Sequence, residues 1–314
     1  MRPIAELQTL TLAPSERRLD RTSGLGVKAS CHNAEASGLR VGALAAGQEA
    51  EVLDFLAARP LHTVYMAGFI RDNGLESPLN RGTFYGCREA CGQLAGVALI
   101  GHVTQVEART DQALAALARA AQKCSSAHVI MGEQEKIQSF WGYYAEAGQA
   151  PRLACRELLF DWSGPPVEGV EVEGLRPAAA EHLPLVMSAQ AEMALEVCGV
   201  NPLEADPNGF RKRCARRIER GRTWVSVKDG VLAFKADVMA ETPEAVYLEG
   251  VYVNSNERGR GFGRRCLLHL GRILLSRSRL ICLLVNERNV EAQTFYLGAG
   301  YQFRGYYETI YLHR

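Results

Sequence analysis

No apolar run approaches the 18 or so residues that a helix needs to cross a bilayer, so no membrane span is expected. Residues 1–36 contain Arg17, Arg18, Asp20 and Arg21 but lack the apolar stretch of a secretory signal. They are expected to be a poorly ordered leader. Excess charge is also missing. Lys and Arg number 36 against 35 Asp and Glu, a net charge of +1, which argues against a surface that coats nucleic acid. Cysteines number 9, an odd and scattered set in a chain too large to need covalent staples. That pattern fits reduced thiols and a cytoplasmic protein. Cys87 and Cys91 are too widely spaced for a zinc knuckle, and no second pair completes them, so no metal is expected. The composition, 47% hydrophobic and 23% charged, is that of a folded globular chain, and 314 residues suffice for two domains.

The most informative stretch is Arg258-Gly259-Arg260-Gly261-Phe262-Gly263, set between an apolar strand and an amphipathic helix. Closely spaced glycines let a backbone approach a ligand without Cβ clashes. The N–H groups of the turn and first helical turn lack intrahelical partners. With the helix dipole behind them they suit a phosphate or diphosphate. A P-loop would need Lys-Ser or Lys-Thr after its last glycine, where Arg264-Arg265 stand. The dinucleotide-binding Gly-x-Gly-x-x-Gly needs one residue more than Gly259-Arg260-Gly261-Phe262-Gly263 provides.

The turn closely resembles the Arg-x-x-Gly-x-Gly loop of the GCN5-related N-acetyltransferases (GNAT), which holds the diphosphate of acetyl-CoA. Asn289, Ala292 and Tyr296, followed by Gly300-Tyr301, stand at the family's spacing on the next helix but one. The resemblance covers about residues 170–314. It implies an α/β fold with an α+β mixed sheet, and acetyl-CoA as co-substrate.

Residues 48–58 and 61–70 read as helices, and 83–87, 94–100 and 102–106 as strands. They are followed by an Ala- and Leu-rich helix over 110–123, a buried strand over 127–131, an aromatic helix over 136–147 and a closing strand over 156–162. Ser163-Gly164-Pro165-Pro166 reads as a linker. The second half gives nearly the same order. It has a strand over 170–177, helices over 181–198 and 209–221, and a hairpin over 223–228 and 231–239 across Asp229-Gly230. A strand over 245–253, a helix over 262–277, an apolar strand over 280–285, a helix over 290–299 and a last strand over 301–312 complete it.

Such repetition is the sign of a duplicated domain. The run Phe140-Trp141-Gly142-Tyr143-Tyr144-Ala145-Glu146-Ala147-Gly148 echoes Thr294-Phe295-Tyr296-Leu297-Gly298-Ala299-Gly300. The arrangement resembles bacterial tandem acetyltransferases with a degenerate first copy. The expected division is a leader over 1–36, a degenerate GNAT-like domain over 37–162, a linker over 163–169 and a catalytic GNAT domain over 170–314. Where the first copy needs a glycine turn it has Val106-Glu107-Ala108-Arg109-Thr110-Asp111, whose side chains and two carboxylates would repel a diphosphate.

The resemblance implies further roles. Backbone groups of the Val251, Tyr252 and Val253 segment would pair with the pantetheine arm as an added strand. Gly259, Arg260, Gly261, Phe262, Gly263 and Arg264 would supply phosphate contacts. For Arg258, Arg260, Arg264 and Arg265 a solvated basic face is the other reading. Tyr296 would be the general acid to the departing thiolate, or else a core aromatic. Asn289 would touch the cofactor arm, cap the following helix, or both. Glu249 would be the base for the amine, or a surface carboxylate; a bulge at Gly250 would change its face relative to Val251 and Val253. Cys266 and Cys282 lie inside a helix and a strand and read as inert. Arg211, Lys212, Arg213, Arg216, Arg217, Arg220 and Arg222 read as a solvated helix face, or as a guide for an acidic partner.

The expected activity is acetyl transfer to a small-molecule or peptide amine by direct attack in a ternary complex. A non-catalytic acyl-CoA sensor is the alternative, and a homodimer is left open.

Overall fold

The structure, a computed structural model, describes residues 38–165 and 169–313. The expected leader over 1–36 lies outside them. In the first half β1 (Arg40–Ala43) leads to α1 (Glu49–Ala57), α2 (Pro60–Asn73), β2 (Gly82–Arg88), β3 (Leu94–Gly101) and β4 (Val103–Ala108). Then come α3 (Asp111–Ala121), β5 (Val129–Glu133), α4 (Gln134–Tyr144) and β6 (Pro151–Trp162). The second half has the same order with one short added helix. It runs β7 (Arg176–Pro177), α5 (Leu183–Cys198), α6 (Pro202–Ala205), α7 (Pro207–Glu219), β8 (Thr223–Lys228), β9 (Val231–Glu241) and β10 (Val246–Val253). It ends with α8 (Phe262–Leu275), β11 (Ile281–Asn286), α9 (Val290–Gly298) and β12 (Gln302–Leu312).

Local chemistry accounts for these elements. Buried Leu267, Leu270 and Leu274 recur along α8 at helical spacing. Asp229 and Gly230 both take positive φ, 50° and 76°, as the tight turn between β8 and β9 requires. Two expectations are corrected. The strand expected over 170–177 is only the two-residue β7. The chain turns at Gly174 (φ 78°), and the Val172 N–H donates to His269 Nδ1 at 3.1 Å instead of to a neighbouring strand. And β1, where no strand was expected, forms by pairing with β2 from Arg40 opposite Arg88 to Ala43 opposite Tyr85. Its mostly exposed residues leave no apolar alternation to read.

The described strands form a mixed 12-stranded sheet in the order β1-β2-β3-β4-β5-β12-β6-β11-β10-β9-β8-β7. The closing strands are exchanged. β12, from the second half, pairs with β5, and β6, from the first half, pairs with β11. Ile310 and Leu312 of β12 complete the core under α3 and α4, while Phe160 and Trp162 of β6 complete the core under α8. A Cβ on Gly271 of α8 would lie 2.0 Å from Trp162 Cζ3, so the helix can sit on β6 only because that position is glycine.

The helices take both faces. One face carries α3, α4, α8 and α9. The other carries α1 and α2 over the first half and α5 and α7 over the second. Helix α2 also reaches the second half: a Cβ on Gly68 would meet Ala240 Cβ of β9 at 2.6 Å. Its end is fastened to α7 and the following loop. Arg222 Nη2 donates to Asp72 Oδ1 at 2.7 Å, Arg220 pairs with Asp72 at 3.2 Å, and Arg216 Nη2 donates to Asn73 Oδ1 at 3.1 Å.

The basic run of α7 is therefore not simply a solvated face. Arg213 pairs with Asp206 and Arg217 with buried Asp237. Arg211 and Lys212 do face solvent.

Candidate active site

Strand β10 ends in a turn that enters α8. Gly259 and Gly261 both have φ 70°, in the left-handed region. Gly263 is needed for another reason, since a Cβ there would lie 2.6 Å from Val253 Cγ2. Among the described residues, no protein group accepts from the N–H groups of residues 259–264, and no side chain caps α8. Arg260 and Arg264 are exposed beside this turn. Arg258 Nε turns back to the Val253 carbonyl at 3.0 Å, and Arg265 Nη1 to the Arg260 carbonyl at 3.4 Å. Phe262 is buried with Lys228 Nζ 3.7 Å from its ring centre.

β10 pairs with β11 only from Val246 opposite Ile281 to Leu248 opposite Leu283. Beyond that the two strands diverge. On its other side β10 bulges against β9 between Glu249 and Tyr252, with Gly250 at φ 61°. The bulge reverses the alternation. Leu248, Val251 and Val253 pack in the core under α8, while Tyr252 packs toward α5 and α7. Glu249 shares the Tyr247 face, opposite to Val251 and Val253.

A buried charge network supports the bulge. Lys235 Nζ donates to Gly250 O at 3.1 Å, Gln190 Oε1 at 2.7 Å and Asp237 Oδ2 at 2.6 Å. Arg217 Nη1 and Thr223 Oγ1 also donate to Asp237, at 2.6 and 2.7 Å. Lys235 and Asp237 are both 0% exposed. The Asp237 carboxyl lies below its usual range: burial acts against this, and the charges of Arg217 and Lys235 overcome it. This support was missed in the sequence, although two charges at i and i+2 inside Leu232-Ala233-Phe234-Lys235-Ala236-Asp237-Val238 were a signal.

Glu249 is open to water yet densely surrounded by protein, the combination that marks the wall of a cleft. Burial raises its carboxyl above the ordinary range, against the pull of Arg217 and Lys235. It makes no hydrogen bond or ion pair among the described residues. Tyr65 of α2, Tyr247 of β10 and Tyr311 of β12 all feel its charge. So does Glu157 of β6, whose carboxyl is raised by burial and, more weakly, by Glu249, against a hydrogen bond from Thr309. The cleft thus draws Tyr65 and Glu157 from the first half of the chain. The sequence placed neither here, because the strand exchange leaves no local pattern.

Tyr296 is 8% exposed and lies in the core against Phe160 and Tyr301, with ring centres 6.5 and 5.6 Å away. Burial raises its phenol, and its hydroxyl has no protein partner among the described residues. Asn289 caps α9, its Oδ1 accepting from Ala292 N–H at 2.9 Å. Burial pushes the Cys266 thiol up to about 12 and raises Cys282 as well.

The first half is closed at the corresponding place. Thr110 Oγ1 accepts from Ala113 N–H at 3.2 Å and caps α3, and Asp111 of its first turn accepts from Tyr143 Oη at 2.6 Å. β4 and β5 pair only at Val103 opposite Val129 and Thr104 opposite Ile130. Where they diverge, ion pairs tie them together. Arg59 reaches Glu107 at 3.3 Å and Glu133 at 2.7 Å, and Lys136 reaches the same carboxylates at 2.7 and 3.5 Å. His62 Nδ1 lies 2.8 Å from Tyr307 Oη alongside.

Residues 198–301, from the end of α5 to Tyr301, match the sequence model of the acetyltransferase (GNAT) family. No curated protein matches the chain. Among solved structures, a GNAT-family acetyltransferase from Colwellia psychrerythraea is similar at 13% identity and a TM-score of 0.54, over 87% of this chain and 100% of that one. A GCN5-related N-acetyltransferase from Sphaerobacter thermophilus is similar at 14% identity and a TM-score of 0.54, over 87% and 94%. A tandem GNAT protein from the clavulanic acid biosynthesis pathway is similar at 17% identity and a TM-score of 0.52, over 86% and 98%. Residues 198–301 therefore match the acetyltransferase (GNAT) family, and the chain as a whole has the tandem arrangement of that fold.

Proposed function

We propose that the protein is an N-acetyltransferase that moves an acetyl group from acetyl-CoA to an amine of a small molecule or peptide. The observation that carries this is the run of unpaired N–H groups over 259–264 at an uncapped helix start. These groups, with Arg258, Arg260, Arg264 and Arg265, would hold the diphosphate. Backbone groups of Val251, Tyr252 and Val253 would hold the arm where β10 leaves β11, and Asn289 would reach it with the amide nitrogen that its cap leaves unused. Bound acetyl-CoA supplies an activated thioester.

Transfer then needs a neutral amine and a proton for the departing thiolate. Glu249, raised above the usual carboxylate range by burial, is suited to take the amine proton directly or through water. Tyr296, kept protonated by burial, is suited to give one to sulfur. Residues 170–314 form the catalytic copy in this reading. Residues 37–162 form a copy that has lost cofactor binding and instead walls the acceptor cleft. A cytoplasmic setting fits the free thiols.

The enclosure of Tyr296 in the core favours a second reading, a module that binds acyl-CoA without turnover. Release of free thiol from acetyl-CoA with a panel of amines separates the two. Turnover supports the enzyme; saturable binding with no turnover for any amine supports the sensor.

A further inference from the structure

We infer that the acceptor is an amine with a second positive charge, received by Glu157 while Glu249 faces the reacting nitrogen. The inference rests on the acetyltransferase reading and narrows its substrate class.

Both carboxylates lie on one face of the sheet. Glu249 is two residues beyond Tyr247, before the bulge. Glu157 lies opposite Asn286, two residues along from Leu159 opposite Leu284. Tyr247, Leu159, Leu284 and Tyr307 share one buried cluster on that face. β11 alone separates β10 from β6, and Glu157 lies two residues further along than the level of Glu249, so their Cα atoms stand roughly 12 Å apart, across two strand spacings. A separation of that order suits a linear aliphatic diamine.

The charges are also unmatched. Among the described residues neither Glu157 nor Glu249 forms an ion pair; Glu157 accepts only from the Thr309 hydroxyl. The nearby cations Lys235 and Arg217 are both bonded to Asp237. Two like charges that act on each other without counter-ions are unfavourable. A ligand with an ammonium at each end relieves both sites. Beside Glu249, Tyr65 and Tyr247, with ring centres 6.2 Å apart, offer rings to pack methylenes and face a cation. A peptide or monoamine acceptor would leave Glu157 uncompensated.

The test uses the full chain with saturating acetyl-CoA and follows thiol release. Diaminobutane and diaminopentane are compared with aminobutane, aminopentane and aminobutanoate. The diamines should exceed the matched monoamines in kcat/KM by about 10- to 100-fold, the worth of one charge-assisted hydrogen bond. In Glu157→Gln, which can still accept from Thr309, that preference should collapse through KM, and in Glu157→Asp it should survive in part. Equal use of monoamines, or a preference for aminobutanoate, overturns the inference and leaves the transferase reading standing. No thiol release with any amine overturns both. The comparison of acceptors on the unaltered protein decides the matter even if the Glu157 variants fail to fold.

Discussion

The ammonium of Lys235, wholly buried on β9, donates at 3.1 Å to the carbonyl of Gly250 at the centre of the β10 bulge. One enclosed charge thereby holds the backbone feature that sends Glu249 to one face and Val251 and Val253 to the other. Lys235→Met removes that donor and leaves Asp237 with Arg217 and Thr223 only. Deleting one partner of a buried charge cluster costs about 3–5 kcal/mol. Urea unfolding should show a loss near the lower end of that range, because Arg217 remains. A loss under about 1 kcal/mol would mean that the bulge stands without Lys235.

The last two glycines of the turn should respond differently to substitution. Gly261→Asp forces a side chain into the left-handed region, at about 1–2 kcal/mol. It also sets a negative charge among the unpaired N–H groups. Affinity for coenzyme A should fall by at least about 100-fold, equivalent to one or two charge-assisted hydrogen bonds. Gly263→Ala instead meets Val253 Cγ2 at 2.6 Å, so its main effect should be a stability loss of about 1–3 kcal/mol. Titration calorimetry beside unfolding curves resolves the pair. Full affinity in Gly261→Asp would place the diphosphate elsewhere.

The pH profile follows from the raised carboxyl of Glu249. A base works only when ionised, so kcat/KM should fall as pH drops through its folded pKa. That limb should lie above the ordinary glutamate value of about 4.3. Glu249→Gln should remove the limb and lower the rate by about 100-fold or more. On the alkaline side the raised phenol of Tyr296 keeps its proton, so no loss should appear at the usual tyrosine pKa. Tyr296→Phe should lower kcat while leaving KM for acetyl-CoA unchanged. An unchanged kcat would make Tyr296 a packing residue alone.

Glu157 has the same kind of shift, with a consequence for folding. Its carboxyl is raised in the folded chain, so its contribution to stability is present below the unfolded pKa and lost as pH rises through the folded value. Glu157→Gln should therefore flatten the fall in stability across that window and leave the apo protein at neutral pH no less stable than the parent. Denaturant midpoints measured from pH 4 to 8 check the sign.

The glycine turn, the Asn289 cap and the bulge at Gly250 were legible in the sequence because each depends on a local backbone rule. The order of elements was legible from periodicity, which β1 and the stretch before β7 do not have. What could not be read was long-range. Neither Arg156-Glu157-Leu158-Leu159 nor Gln302-Phe303 says that β6 and β12 trade places, and so Glu157 and Tyr65 could not be assigned to the cleft of the other half. Only the bonds across the fold, to Asn73 for Arg216 and to Asp72 for Arg220 and Arg222, explain these residues, which in sequence look like any charged helix face.

The tie from Asp72 to Arg222 and Arg220 sets where α2, and with it Tyr65, lies over β10. Both Asp72 and Arg222 side chains are more than four-fifths buried. Asp72→Ala should cost about 2–3 kcal/mol, the value of a charge-assisted pair. In a double-mutant cycle with Arg222→Ala the coupling should exceed about 0.5 kcal/mol, as expected for residues in direct contact. Additive losses would show that α2 is held by apolar packing alone.

The closed first half fixes a stoichiometry. Its α3 start is already capped by Thr110, and Arg59 and Lys136 bind β4 to β5 through Glu107 and Glu133. Coenzyme A should therefore bind at one site per chain, and Gly261→Asp should abolish binding instead of halving it. Restoring a site should need more than opening the gap. Arg59→Ala alone leaves Lys136 on both carboxylates and Thr110 on the helix start, so it should lower stability without adding a second binding event. Two sites in calorimetry on the unaltered chain, or residual binding at half stoichiometry in Gly261→Asp, would show that the cap and the ion pairs yield to the ligand.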